Sequence, residues 1–325
     1  MNGIRRRHMV CAAGAVFVPS AFADTYPSRP VKIVVGFSAG SATDSLARPF
    51  ADKLAEALKV TFIVDNRPSG GQTAAIQALL NSPPDGYTLY LATGSSMAQG
   101  PGLRKDVRHD PLKDFSHIAY VATGPGALIV NAELPIQNVG ELIAHLKAEP
   151  GKYSFGSSGV GAAGHLSGEL FMARTGTRMV HIPFKADTEA AREVASGTLQ
   201  VAFTTLRTAA TFVRSGKVRA LVTLDAKRSP LLDQTPSVNE ATAANLRDLA
   251  PYTWYALVGP KGLPAPVVKR LNDACAAATS APDYLSAMQA AGVAPEWSTP
   301  EALQALTRKE LSKWREVAKT VKIEI

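Results

Sequence analysis

Residues 31–58, VKIVVGFSAGSATDSLARPFADKLAEAL, decide the fold. The first seven, VKIVVGF, are a β-branched apolar run of strand length. Residues 38–43 are small, and from Asp44 to Leu58 apolar residues recur at helical spacing, so the stretch reads strand, loop, helix. The same unit recurs. VTFIVDN at 60–66 precedes the Ala/Gln/Leu-rich 72–81, and YTLYLAT at 87–93 precedes another glycine-serine loop. Strands alternating with helices predict a parallel, doubly wound sheet.

A second series starts near residue 118 with IAYVATGPGALIVNA. It runs through a helix at 138–148, strand 153–158, helix 164–175, strand 179–184, helix 188–196, strand LQVAFTT and a helical stretch to Ser215. Strands follow at 218–224 and 252–258, then three C-terminal helices. The expected class is α/β with two lobes. Lobe 1 is discontinuous, 24–121 with 222–325, and lobe 2 is 122–221. The prolines at 260–266 and 295–300 separate late helices rather than domains.

Residues 1–23 differ in kind. Arg5, Arg6 and Arg7 precede an apolar run from Met9 to Val18, and Ala21-Phe22-Ala23 offers small residues for cleavage before Asp24. This is a secretory signal, which places the mature protein in the periplasm. Arg6-Arg7 leaves Sec and twin-arginine export both open. Cys11 falls in the leader without a lipobox, and Cys275, alone in the mature chain, is expected to pack in a helix core.

At 46% hydrophobic and 19% charged, the 325 residues suffice for two substantial cores. Without the leader's arginines, 32 basic residues face 27 acidic ones, a mild bias toward anions. There is no run of five basic residues and no basic-aromatic interleaving, so nucleic acid is not an expected partner. The six histidines lack paired metal-ligand spacing, and neither a metal nor a cofactor is expected.

Two loops carry the candidate chemistry: Gly36 to Asp44, and Gly156 to His165. In open α/β sheets ligands bind beyond the carboxyl ends of strands, where helix N-termini offer free N–H groups and a partial positive charge. Small residues let backbone amides approach an anion, and serine and threonine hydroxyls add donors. The competing reading is a tight turn with Thr43 or Asp44 as helix cap. The second loop matches neither GxGxxG, nor a Walker sequence, nor a GxSxG elbow.

Along nearly its whole length the chain resembles the Bug-type solute-binding proteins, the extracytoplasmic receptors of tripartite tricarboxylate transporters. The blocks that carry the likeness include YPSRPVKIVVGFSAGSATDSLAR, VDNRPSGGQTAAIQAL, PPDGYTLYLAT, YSFGSSGVGAAGHLSGELF, MVHIPFKA and WYALVGPKGLPAPVVKRLN. The resemblance implies a two-lobed fold of type II periplasmic binding proteins, with a cleft holding a small organic acid: a di- or tricarboxylate, or an aromatic carboxylate. It implies ligand contacts from Phe37, Ser38, Ala39, Gly40, Ser41, Thr43 and Asp44, from Thr93 and Ser95, from Ser157, Ser158, Gly159, Gly161 and His165, and from Thr204. Transporter membrane subunits are the implied partners.

The chain departs from the family pattern with Gly36 for Pro, Ser41 for Gly, Phe184-Lys185-Ala186 for Tyr-Lys-Gly, and Thr204 for Asp. Loss of an acid at 204 leads to the expectation that ligands with an ammonium group bind poorly. Two other functions compete: a ligand-sensing partner of a membrane sensor kinase, and a secreted hydrolase using Ser157 or Ser158 with His165. No orienting acid lies near those serines in sequence, which disfavours the hydrolase.

Overall fold

The structure, a computed structural model, describes residues 26–241, 246–249 and 252–320. The leader, its cleavage point and Cys11 lie outside them.

The chain opens with β1 (Val31–Val35), α1 (Ala42–Leu58), β2 (Phe62–Asn66), α2 (Thr73–Leu80) and β3 (Thr88–Thr93). β1 pairs in parallel with both β2 and β3. Val31, Ile33, Val34 and Val35 are all buried because helices cover both faces of the sheet, which is why the strand is a nearly continuous apolar run. From α1, Leu46, Phe50, Leu54 and Leu58 project one stripe into this core. Each such side chain contributes about 1.5–3 kcal/mol by leaving water.

After β3 the expected loop is helical instead. Ser95–Gln99 form a wide turn that runs into α3 (Gly100–Leu103). The reason is local: the Ser96 hydroxyl accepts from the Thr93 N–H at 3.1 Å and donates to the Thr93 carbonyl at 2.9 Å, closing the chain on itself.

The stretch from residue 118 that opens the second series holds two strands. β4 (Phe115–Gly124) and β5 (Gly126–Asn131) belong to different sheets, and Pro125, which has no N–H to donate, stands between them. The chain then forms α4 (Val139–Ala148), β6 (Ser154–Ser157), α5 (Ala163–Thr175), β7 (Val180–Pro183), α6 (Asp187–Ala195), β8 (Val201–Thr205), α7 (Leu206–Arg214) and β9 (Val218–Thr223). It returns through β10 (Thr253–Pro260), and finishes with α8 (Ala265–Ser280), α9 (Pro282–Ala290), β11 (Ala294–Pro295) and α10 (Pro300–Thr320).

The two sheets run β11-β4-β10-β3-β1-β2 and β7-β6-β8-β5-β9. They make two α/β lobes of the type II binding-protein kind. Each is a mixed sheet with an interior strand reversed: β10 is antiparallel to β3 and β4, and β5 to β8 and β9, while the two-residue β11 also runs antiparallel to β4 at the first sheet's edge. The reversed interior strands follow the two passages between lobes, at Pro125 and after β9. Cys275 is buried in α8 against the first core, and burial pushes its thiol well above the ordinary range, as a packing residue requires.

A cleft lined by helix N-termini

The loop after β1 is held by a polar knot. The Ser41 hydroxyl, rather than Thr43 or Asp44, caps α1 by accepting from the Asp44 N–H at 3.2 Å. Asp44 is engaged elsewhere: its carboxylate accepts from the Gly40 N–H (2.9 Å), Arg48 Nε (3.0 Å) and Asn66 Nδ2 (2.9 Å). Burial alone would raise the Asp44 pKa, but these donors outweigh it and hold the carboxyl below its usual 3.8. Asn66 Nδ2 also donates to the Phe37 carbonyl at 3.0 Å, fixing the backbone of the loop at that residue.

A neighbouring loop, Pro68 to Gln72, leads into α2. Gln72 donates to the hydroxyls of Thr93 and Ser95, both at 2.9 Å, and accepts from the Tyr90 hydroxyl at 2.6 Å. Its side chain lies so close to Gly36 that a Cβ there would stand 2.6 Å from Gln72 Cβ. The glycine at 36 is therefore the partner of this buried glutamine.

In the second lobe, the loop between β6 and α5 is ordered by two histidines. The Gly161 N–H donates to His165 Nδ1 at 3.0 Å, and the His165 ring stacks on His181 with centroids 4.0 Å apart. Burial, then the nearby His181 and Arg104, lowers the His165 pKa to about 3, so it is neutral and accepts rather than donates. Ser157 turns to His181 Nε2 at 2.8 Å and is fully buried. These two residues support the loop from behind.

A cavity of about 500 Å³ opens between the lobes, walled by Gly36, Phe37, Ser38, Pro68 to Gln72, Ser158 to Ala162, Phe184 and Lys185. A recess of about 30 Å³ shares Phe37 and Ser158 with it. Its walls are Ser41, Ala42 and Thr43 at the start of α1, Ala163 starting α5, Asp187 starting α6, and Thr205 before α7, with Thr93, Ser95, Tyr252, Thr253 and Tyr255. Four helix N-termini thus converge from both lobes on a space fit for one small functional group. The lobes touch beside it: the Gly71 N–H donates to the Val160 carbonyl at 3.0 Å.

Of the residues named from sequence, Phe37, Ser38, Ser41, Thr43, Thr93, Ser95, Ser158, Gly159 and Gly161 line one of the two spaces. Ala39 and Gly40 are exposed beside the loop, and Asp44, Ser157 and His165 stand behind the walls. Thr204 is fully buried, its hydroxyl without a partner, and is not on the wall; its neighbour Thr205 is. The charge of the cleft is accordingly not set by residue 204.

Ser157 and Ser158 do not form a nucleophile pair with His165, whose Nδ1 is taken by Gly161. Ser157 does meet His181, but away from the cavity. Burial lowers His181 to about 4, and among the described residues no carboxylate is hydrogen-bonded to its ring.

The receptors of the tripartite tricarboxylate transporter family match residues 46–323 of the chain. The chain belongs to that family. Protein BugT of Bordetella pertussis is 30% identical over 91% of this chain and 90% of its own length. The periplasmic binding protein BugD is similar in structure, with a TM-score of 0.82, 29% identity, and coverage of 92% of this chain and 100% of BugD. Rpa4515 of R. palustris, solved with adipate, gives a TM-score of 0.82 at 30% identity, covering 91% and 98%. BugD and Rpa4515 share the fold described above.

Sequence reading missed the Pro68–Gln72 loop as a wall, although its Pro-Ser-Gly-Gly run carries the same small-residue signal as the two loops it chose. It also missed Phe184, Lys185, Asp187 and the tyrosines 252 and 255. For Asp187 a faint signal existed, an acidic residue just ahead of the helix expected at 188–196.

Proposed function

We propose that the protein is a periplasmic receptor that closes two lobes around one small organic acid and delivers it, chemically unchanged, to membrane subunits of a tripartite tricarboxylate-type transporter. The observation that carries this reading is the recess where the N-termini of α1, α5, α6 and α7 meet from both lobes. Unpaired N–H groups and partial positive charge at several helix starts suit a carboxylate better than any neutral group. Because the donors come from both lobes, only the closed state brings them all to bear, and a ligand shifts the equilibrium by that differential affinity. The related Rpa4515 solved with adipate supports an organic acid as cargo.

In this reading residues 1–23 are the export leader, and the lobe boundaries expected at 121/122 and 221/222 fall at Pro125 and after the end of β9 at Thr223. Among the described residues no helix is long and apolar enough to cross a membrane, consistent with a receptor that meets its transporter at the surface. The burial of the Ser157–His181 pair away from the cavity, and the engagement of His165 Nδ1 by the Gly161 N–H, support binding without turnover.

Calorimetry and thermal shift on the mature protein, with a panel of di- and tricarboxylates, aromatic acids and amino acids, test the proposal. One acid should bind at one site and, at a hundredfold excess over its Kd, stabilise by about 2.7 kcal/mol. It should be recovered unchanged. Failure of every acid to stabilise the protein, or steady product release from one that binds, would overturn the reading.

A further inference from the structure

Among the described residues, Asp187 is the one acidic side chain on the walls of the cleft. It starts α6, where the helix end favours its negative charge, yet its Oδ1 is out of water and has no hydrogen-bond partner. No salt bridge reaches it among the described residues. The Ser158 hydroxyl and the Thr205 N–H favour its charged form, but burial dominates and pushes the pKa up to about 6. A carboxylate oxygen that is out of water and unpartnered is rare in a folded protein and asks for a reason.

Its position supplies one. The recess it faces admits a single small group, while the 500 Å³ cavity has apolar walls from Phe37, Pro68, Val160 and Phe184 and a cation at Lys185. The N-terminus of α6 is spent on Asp187 itself, which leaves the starts of α1, α5 and α7 and the Lys185 ammonium for a ligand carboxylate. A second carboxylate pushed against Asp187 would meet like charge at short range, in a medium that screens it poorly. A donor there would complete the unpaired oxygen, and a charged donor would also neutralise the carboxylate.

Resting on the receptor reading above, we infer that Asp187 makes the cleft selective for organic acids that also carry an ammonium group, which pairs with its carboxylate. The selectivity that Thr204 cannot supply from β8 is supplied from the start of α6. The cargo class is then amino acids and related aminocarboxylates rather than plain dicarboxylates.

The test is calorimetry near pH 7.5 on matched pairs, glutamate against glutarate and 2-aminoadipate against adipate, after a thermal-shift screen of the common amino acids. The wild-type protein should prefer an aminated acid over its deaminated partner by about ten- to a hundredfold, the range of a hydrogen bond between charged groups. Asp187→Asn, nearly isosteric, should lose that preference while binding the plain acid as well or better; Asp187→Ser serves as second variant should the first not fold. Plain acids binding as tightly as aminated ones, or a preference that survives in Asp187→Asn, would overturn the inference and leave the receptor reading intact. An aminated acid failing to bind while a plain one binds would do the same. No binding by any acid would sink both.

Discussion

Substituting Gly161 by alanine separates two roles that one residue plays. Gly161 sits at φ +74°, and a Cβ there would overlap Arg104 Nη1 and stand 3.4 Å from the Gly71 Cα, both of the opposite lobe. The left-handed backbone costs alanine about 1–2 kcal/mol whether the lobes are open or closed. The overlap acts only in the closed state. The guanidinium is the mobile end of a long chain, held by Asp106 at 2.6 Å and 3.0 Å, so moving it costs a partly exposed ion pair, about 0.2–1 kcal/mol. Closure should therefore weaken up to about fivefold, since 1 kcal/mol is about that factor. The Gly71 amide reads closure directly, because its hydrogen bond to Val160 exists only when the lobes meet. Gly161→Ala should show a melting point lower by a few degrees and faster hydrogen exchange at Gly71. Adding Arg104→Ala should restore the slow exchange and leave the melting point low. Unchanged exchange in the single variant, or no recovery in the double, would refute the assignment of Gly161 as a contact made on closure.

Two further outcomes follow from buried polar groups. Asp187 has a folded pKa of about 6 against 3.8 unfolded, so the native state holds the extra proton between those values and stability falls as pH rises through that window. At about 1.4 kcal/mol per tenfold the full effect is about 3 kcal/mol, so Asp187→Asn should gain up to that much over wild type at pH 7.5 relative to pH 4 in denaturant titrations; an equal difference at both pH values would contradict it. Thr204→Val removes a fully buried hydroxyl that has no partner, and should raise stability by about 1 kcal/mol without changing ligand preference; a drop in stability or altered preference would show that the hydroxyl is in use.

The strand-loop-helix units were legible because burial on both faces forces an apolar run such as VKIVV, and because α1 carries its apolar stripe at helical spacing. What the pattern could not show was where one apolar stretch changes sheets. Residues 118–132 look continuous, and only the missing N–H of Pro125 marks the passage from β4 to β5. The reversed strands β5 and β10 were hidden for a related reason: strand direction is fixed by which lobe the chain enters, and periodicity is blind to that.

The site was legible to the extent that it is backbone. Small residues between a strand and a helix mark a loop whose amides can reach a ligand, and two of the four loops on the cavity wall were found that way. Side-chain roles were not, because they depend on which way a residue turns in a loop whose course is unknown. Ser157 and Ser158 are adjacent, yet one goes back to His181 and the other lines both spaces. His165 looks like a donor until its Nδ1 is seen to accept from Gly161. The same argument governs the acid: a carboxylate absent from the strand at 204 can be replaced by one from a helix start 17 residues earlier in the chain, since Ser158, Thr205 and Asp187 meet at one recess. Position in the sequence therefore does not fix the charge of a cleft that several elements converge on, and the ligand's charge has to be argued from the recess itself.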